Sequence, residues 1–173
     1  MLFRSGAPSA ATGLRLKKEI RLDGSAPEAE YVVTLLAADA CAHPYALRNM
    51  ARIPAGVTVR IPRSEGELRA YSDEKPLPPN IVKSRAYWMI PVPPTAETTR
   101  RLIGGYVTEF EVAARDGVWM RQCQSMPAPE MTTPEGASFL CLLDDATHSY
   151  GAVFQGEMRT VGPLRPLVFV EKW

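Results

Sequence analysis

The sequence predicts a β-rich α+β fold, in which an antiparallel sheet forms a sandwich or a partial barrel and carries two or three short helices. Several short segments alternate apolar and polar residues, which is typical of strands with one face buried. Turn signals separate these segments, and no long helical pattern alternates with them, which argues against a doubly wound α/β fold. The 173 residues fit one domain, and a chain of this length buries roughly two-thirds of its unfolded surface without metals or disulfides.

The strand predictions depend on alternating apolar and polar residues, on apolar runs and on the turn residues that flank them. The first segment slips once at Lys17-Lys18, which indicates a bulge. The predicted strands are residues 14–22, 57–61, 84–90, 137–143, 150–159 and 167–170.

A hairpin is predicted across residues 106–123, where two alternating segments flank Asp116-Gly117. A two-residue turn at this pair would place Ala114 opposite Trp119. A three-residue turn with a bulge would shift that register, and the sequence leaves both open.

The helix predictions rest on spacing and capping signals. Residues 29–40 have apolar side chains at helical spacing after a capping box, although their composition also suits a strand. A turn or short helix is expected at 43–51. Thr95 fits the start of a two-turn helix that Gly104-Gly105 would end.

The segment 76–94 contains six prolines, at 76, 78, 79, 91, 93 and 94. Because proline cannot donate to a β-ladder, only a short edge strand over 84–90 is expected between extended connections. A strand's side chains alternate, so one face of the predicted strand 84–90 must point away from the core. Trp88 is therefore the predicted anchor of a protein interface, and the other predicted interface residues are Tyr87, Ile90, Pro91, Pro93, Arg4 and Arg15.

Residues 1–18 form a predicted basic N-terminal arm, with no acidic residue before Glu19. Their composition is also that of an organellar targeting segment, although Gly6, Pro8 and Gly13 weaken a helix there. Residues 19–173 are predicted to form the single globular domain.

Charge and cysteine content exclude several classes of protein. Twenty basic and 19 acidic residues give a net charge of +1, which carries no strong nucleic-acid signal. An RNA-associated subunit would have to use the arm with Arg100 and Arg101. No apolar run approaches the roughly 20 residues of a transmembrane helix. Cys41, Cys123 and Cys141 make a poor disulfide framework, so we expect free thiols without a disulfide partner.

Motifs for phosphate loops, dinucleotide binding, nucleophile elbows and zinc proteases are absent from the sequence, and no cofactor is predicted. His148 follows Asp144 and Asp145, which would suit an oriented base or a cation site, but a charged hairpin tip is the favoured interpretation. Cys41 and His43, with the other two cysteines, would offer a zinc site. Their spacing is too wide, and no metal is expected.

Two further groups have a functional reading. Glu109 and Glu111 share one face of a predicted strand, as a carboxylate pair would, although such pairs are usually a solvated face. Arg85 near Tyr87 and Trp88 would stack on nucleic acid in a chain with a basic field.

The sequence therefore predicts a non-catalytic structural or accessory subunit of a large multiprotein assembly, most simply of a mitochondrial complex, with other protein subunits as partners. A structural protein of a virion is the first alternative, and a cytoplasmic location is also open. The second alternative is a small β-barrel enzyme or ligand-binding protein, with a pocket lined by Trp88, Trp119 or Trp173 and by polar groups such as Asp145 and His148.

Overall fold

A computed structural model describes residues 2–63, 67–70, 80–92, 101–123, 139–144, 149–156 and 158–173. These residues form strands and connections and contain no α-helix. The strands are β1 (Leu2–Ser5), β2 (Leu14–Leu22), β3 (Ala29–Ala37), β4 (Pro44–Tyr45), β5 (Arg48–Arg52), β6 (Thr58–Pro62), β7 (Arg69–Ala70), β8 (Val82–Lys83), β9 (Tyr87–Pro91), β10 (Arg101–Gly105), β11 (Glu109–Ala114), β12 (Gly117–Cys123), β13 (Phe139–Asp144), β14 (Ser149–Gln155), β15 (Arg159–Thr160) and β16 (Leu167–Lys172).

The strands form two main antiparallel sheets. The large sheet has nine strands in the order β1-β2-β3-β16-β12-β11-β6-β9-β8, and the small sheet has five in the order β5-β14-β13-β10-β7. A separate two-stranded sheet joins β15 to β4. The large sheet is open, because its end strands β1 and β8 do not pair with each other.

The two main sheets pack face to face around one hydrophobic core, as in a β-sandwich. Phe110 of the large sheet and Phe154 of the small sheet lie 5.3 Å apart between ring centroids. Alternation along each strand decides which side chains enter this core: on β6, Val59 and Ile61 are fully buried. Their neighbours point to the opposite side of the large sheet, which we call the open face.

The β-rich sandwich class is confirmed, but the described residues contain none of the predicted short helices. Residues 29–37 form strand β3, which pairs with β2 on one side and β16 on the other. The Val- and Leu-rich sequence of these residues suits a helix as well as a strand, and they form a strand because neighbouring strands pair with it on two sides. The 43–51 segment contributes β4 and β5. Residues 95–100 of the third predicted helix lie outside the described residues.

Gly104 and Gly105 do not end a helix; they belong to strand β10. A Cβ atom on Gly105 would lie 2.7 Å from the backbone carbonyl oxygen of Glu67. Glycine is therefore required for a close backbone approach.

Two register details differ from the sequence prediction. The bulge at Lys17-Lys18 is absent, because β2 pairs with β3 in one uninterrupted register from Leu14 to Leu22. The hairpin turn lies one position earlier than expected: Ala114 pairs with Gly117, and Trp119 lies opposite Val112.

Residues of the predicted N-terminal arm belong to the large sheet. Strand β1 pairs with β2, so that Leu2 lies opposite Ile20 and Ser5 opposite Lys17. The targeting role of residues 1–18 and the boundary at 18 stay predictions. Within the described ranges, no helix is long and apolar enough to cross a membrane.

Candidate functional site

A polar cluster occupies the open face of the large sheet where β6, β9 and β11 lie side by side. We call it the open-face cluster and define it as Arg60, Tyr87 and Glu111. The hydroxyl of Tyr87 donates a hydrogen bond to Glu111 Oε1, with an O···O distance of 3.3 Å. Arg60 Nη1 lies 3.8 Å from Glu111 Oε2 in an ion pair. Both oxygens of one carboxylate are thus engaged, each by a different strand.

Strand register and alternation bring these three side chains together. Arg60 pairs with Glu111 on one side and with Met89 on the other. Tyr87 lies two residues before Met89 on the same face of β9, and its long side chain reaches over β6 to Glu111. The cluster thus spans three adjacent strands of the sheet.

The cluster is accessible to a ligand and lies among apolar side chains. The Arg60 and Glu111 side chains keep 39% and 23% of their surface exposed. Met120, directly opposite Glu111, is 48% exposed, and Met89 lies on the far side of Arg60. A mixed surface of this kind suits a ligand that has both hydroxyl groups and an apolar face.

The three side chains of the cluster differ in the hydrogen bonds and protons that they can give or accept. Glu111 accepts hydrogen bonds, Arg60 only donates them, and the Tyr87 phenol does both. A carboxylate beside a phenol is a pair between which a proton can move, as general acid–base catalysis requires. Glu109 lies two positions before Glu111 on the same face of β11, and only Glu111 belongs to the cluster; a functional carboxylate pair stays a prediction.

A second polar group, the ion pair of Arg121 and Glu171, lies inside the sandwich and was missed by the sequence analysis. Both side chains are fully buried. Arg121 donates from Nε and Nη2 to Glu171 Oε2 and from Nη1 to the carbonyl oxygen of Ala152. Trp173 Nε1 donates to the same carboxylate oxygen at 3.0 Å.

Aromatic rings enclose this ion pair. The guanidinium carbon of Arg121 lies 4.9 Å from the Trp173 ring centroid and 5.5 and 5.6 Å from those of Phe110 and Phe154. The pair has no exposed surface, so it cannot touch a substrate in this conformation. We assign it to the core. The sequence signal was an alternation that puts Arg121 and Glu171 on inward positions.

A cleft of about 450 Å³ lies beside the residues that follow β3. Its polar lining consists of Thr12, Asp39, Cys41, His43 and Tyr45. Cys41 is a free thiol, and among the described residues no group of three or more His, Cys, Asp and Glu side chains has the geometry of a metal site. The cleft lacks the convergent hydrogen bonds of the open-face cluster, which we therefore prefer as the functional site.

The predicted interface residues divide between two faces of β9. Trp88 is 7% exposed and Ile90 is fully buried, so both belong to this chain's own core. The expectation that Trp88 is an accessible anchor is wrong, because the alternation turns it inward. Tyr87 and Pro91 point to the open face. The strand is not an edge strand, since β6 and β8 flank it.

Other predicted interface residues lie on β1 and β2. Arg15 is exposed on β2, Arg4 belongs to β1, and Pro93 lies outside the described residues. An interface at these positions stays a prediction.

Several candidate catalytic and metal-binding groups belong to the part of the chain that is not described. Asp145 and His148 lie outside the described residues, as do the side chains of Cys123, Cys141 and Asp144. Trp119 is partly buried against the core, and Trp173 is 47% exposed above the buried ion pair. A pocket lined by Trp88, Trp119 or Trp173 with Asp145 and His148 stays a prediction.

Comparison with known proteins gives one structural likeness. No protein-family model matches the chain, and no curated protein matches it in sequence. The fold is similar to the crystal structure, at 1.59 Å resolution, of a protein from Escherichia coli K12 assigned as an aldose 1-epimerase. The TM-score is 0.62 at 9% sequence identity, over 98% of this chain and 62% of the other.

This likeness shows the fold and corrects the predicted function. The chain spans less than two thirds of the protein that it resembles. The expectation of a non-catalytic structural or accessory subunit is wrong, because the fold is shared with a protein assigned as an enzyme. The alternative of a small β-rich enzyme or ligand-binding protein fits better. The mitochondrial location is untested and stays a prediction.

Proposed function

We propose that this chain is a small β-sandwich protein that binds a neutral carbohydrate on the open face of its large sheet and catalyses proton transfer on it. The observation that carries the proposal is the convergence of Arg60, Tyr87 and Glu111 from three adjacent strands. The likeness to a protein assigned as an aldose 1-epimerase supports the choice of substrate class. A fold alone does not imply a function, so the site has to carry the argument.

The groups of the open-face cluster match what a sugar presents. Carboxylate and guanidinium groups form charge-assisted hydrogen bonds with hydroxyl groups. Met89 and Met120 on either side of Arg60 and Glu111 offer soft, adaptable apolar contacts for the C–H face of a sugar ring. The negative charge of Glu111 and the positive charge of Arg60 balance each other, which favours a neutral ligand over an anion.

Interconversion of the two anomers of an aldose needs one base and one acid. In our proposal Glu111 takes the proton of the C1 hydroxyl, whose electrons form a carbonyl as the bond from C1 to the ring oxygen breaks. The ring oxygen receives a proton from Tyr87, and ring closure on the other carbonyl face reverses both transfers. Ring closure thus leaves Glu111 as a carboxylate and Tyr87 as a phenol, ready for the next turnover.

Two measurements test the proposal. Addition of D-galactose or D-glucose should shift the amide resonances of Arg60, Tyr87 and Glu111 in an NMR titration. Polarimetry of freshly dissolved α-anomer should show faster mutarotation with the protein than in buffer.

Variants separate binding from chemistry. Glu111→Gln keeps the shape of the side chain but removes the base, and should lower the catalysed rate at least about 100-fold. Tyr87→Phe removes the acid with a similar loss. Glu28→Gln, an exposed position far from the cluster, should leave the rate unchanged. If sugars perturb the open face but the rate equals that of buffer, the protein binds sugars without catalysis. If neither response occurs, the proposal is wrong.

A further inference from the structure

Strand β5 forms one edge of the small sheet, at a distance from the open-face cluster. It pairs with β14 on one side, and among the described residues no strand pairs with its other side. An edge strand offers unpaired backbone groups to an extended chain. The question is which backbone groups and side chains this edge presents.

The register identifies the backbone groups that point outward. The amide of Ile53 donates to the carbonyl of Tyr150 at 2.9 Å, and the amide of Gly156 donates to the carbonyl of Leu47 at 2.8 Å. In an antiparallel ladder hydrogen-bonded and non-hydrogen-bonded pairs alternate. Residues 48, 50 and 52 therefore lie at the non-hydrogen-bonded pairs of the ladder between β5 and β14, and the N–H and C=O groups of Met50 and Arg52 point away from β14.

The same positions carry exposed side chains on the outer face of the small sheet. Arg48 and Arg52 are exposed, and Met50 between them is 61% exposed. Asn49 and Ala51 point the other way, toward the core. The Met50 side chain lies over Gly151, where a Cβ atom would be only 2.9 Å from its sulfur atom. Along this edge, two basic side chains flank one apolar side chain, beside backbone groups that point outward. We call these three side chains the stripe.

We propose that the β5 edge binds an extended acidic segment of another protein by strand addition, with acidic side chains opposite Arg48 and Arg52 and an apolar side chain opposite Met50. Backbone hydrogen bonds give affinity in this mode of recognition, and alternate side chains give specificity. Opposite charges directly across an antiparallel pair stabilise it, and like charges destabilise it.

A second copy of this chain does not fit the same edge. Antiparallel pairing of β5 with itself about Met50 would place Arg48 of each copy opposite Arg52 of the other. The pairing would set like charges against each other twice, so the stripe disfavours self-association and leaves an acidic partner as the occupant.

The opposing interpretation is that the two arginines only prevent the unpaired edge strand from pairing with other chains.

A synthetic peptide decides between these interpretations. The probe has seven residues, with glutamate at positions two and six, valine at position four and threonine elsewhere, and capped ends. We expect saturable binding in fluorescence anisotropy, with NMR shifts of the Met50 and Arg52 amides and slower hydrogen exchange of the Met50 amide. A matched peptide with lysine in place of glutamate should bind at least about tenfold more weakly.

Protein variants and a modified peptide complete the test. Arg52→Glu should weaken the glutamate peptide about tenfold and strengthen the lysine peptide. N-methylation of the backbone amides that face β5 should abolish binding, because it removes the ladder donors and keeps the charges. Glu111→Gln should leave the affinity for both peptides unchanged, so failure of this test is independent of the carbohydrate proposal. Equal binding of both peptides, binding that survives N-methylation, or no binding at millimolar concentration would overturn the inference.

Discussion

Arg121 and Glu171 form an ion pair in which neither side chain has exposed surface, inside a sandwich whose buried residues are mostly apolar. All three donors to this carboxylate bind Glu171 Oε2, whereas Oε1 has no hydrogen-bond partner among the described residues. Removing one member leaves the other charge buried and uncompensated.

We predict that Arg121→Met lowers the free energy of unfolding by about 3–5 kcal/mol. The double variant Arg121→Met with Glu171→Leu should lose much less, because no charge is then left alone in the core. Urea denaturation of both single variants and the double variant gives the coupling energy. Additive losses would show that the pair does not act as a unit.

Trp88→Ala should lower the free energy of unfolding by about 3–5 kcal/mol, because Trp88 belongs to the core cluster and its removal leaves a cavity. Thermal or urea denaturation measures the loss. The control is Val118→Ala, at a position 57% exposed, which should change stability by less than about 0.5 kcal/mol. A stable Trp88→Ala protein that has lost a binding partner would restore the interface interpretation.

Lys17→Gln should raise the pKa of Glu19 toward its ordinary value. Lys17 Nζ lies 2.9 Å from Glu19 Oε2, and its hydrogen bond is the main reason that the pKa of Glu19 is lowered, with Arg21 contributing. A lowered folded-state pKa means that this interaction stabilises the fold above the unfolded pKa of about 4.3 and is lost as the pH falls through the folded pKa.

NMR titration of the Glu19 carboxyl carbon measures the shift directly. The variant should also lose less stability than the wild type between neutral and strongly acidic pH. Lys18→Gln is the matched control, since Lys18 points to the other face of β2 and does not contribute to the pKa of Glu19. An unchanged Glu19 titration in the Lys17 variant would contradict the assignment.

Gly105→Ala should destabilise the protein by about 1–3 kcal/mol, because the new Cβ atom would meet the backbone oxygen of Glu67, so that β10 or the residues just before β7 must shift. Gly24→Ala, where nothing lies within 4 Å, should be neutral or slightly stabilising. Chemical denaturation of the two variants checks the difference. Equal stability would mean that β7 and β10 separate at little cost.

The β-rich class and several strands could be predicted from local patterns. Residues 57–61 and the hairpin after Glu109 alternate clearly, because one face of each strand is buried. Residues 29–37 show the limit of this reasoning. Their apolar positions satisfy helical spacing and strand composition together, and only pairing with β2 and β16 decides between them.

The open-face cluster shows the same limit for function. The sequence singled out Tyr87 as an interface residue and Glu111 as one of a carboxylate pair, for separate reasons. They are 24 positions apart and meet only because β6 lies between their strands and sets both registers. Likewise, alternation required one face of β9 to leave the core but did not say which. Local chemistry determined the strands; non-local pairing, which no short window of sequence contains, decided which side chains meet and which face is buried.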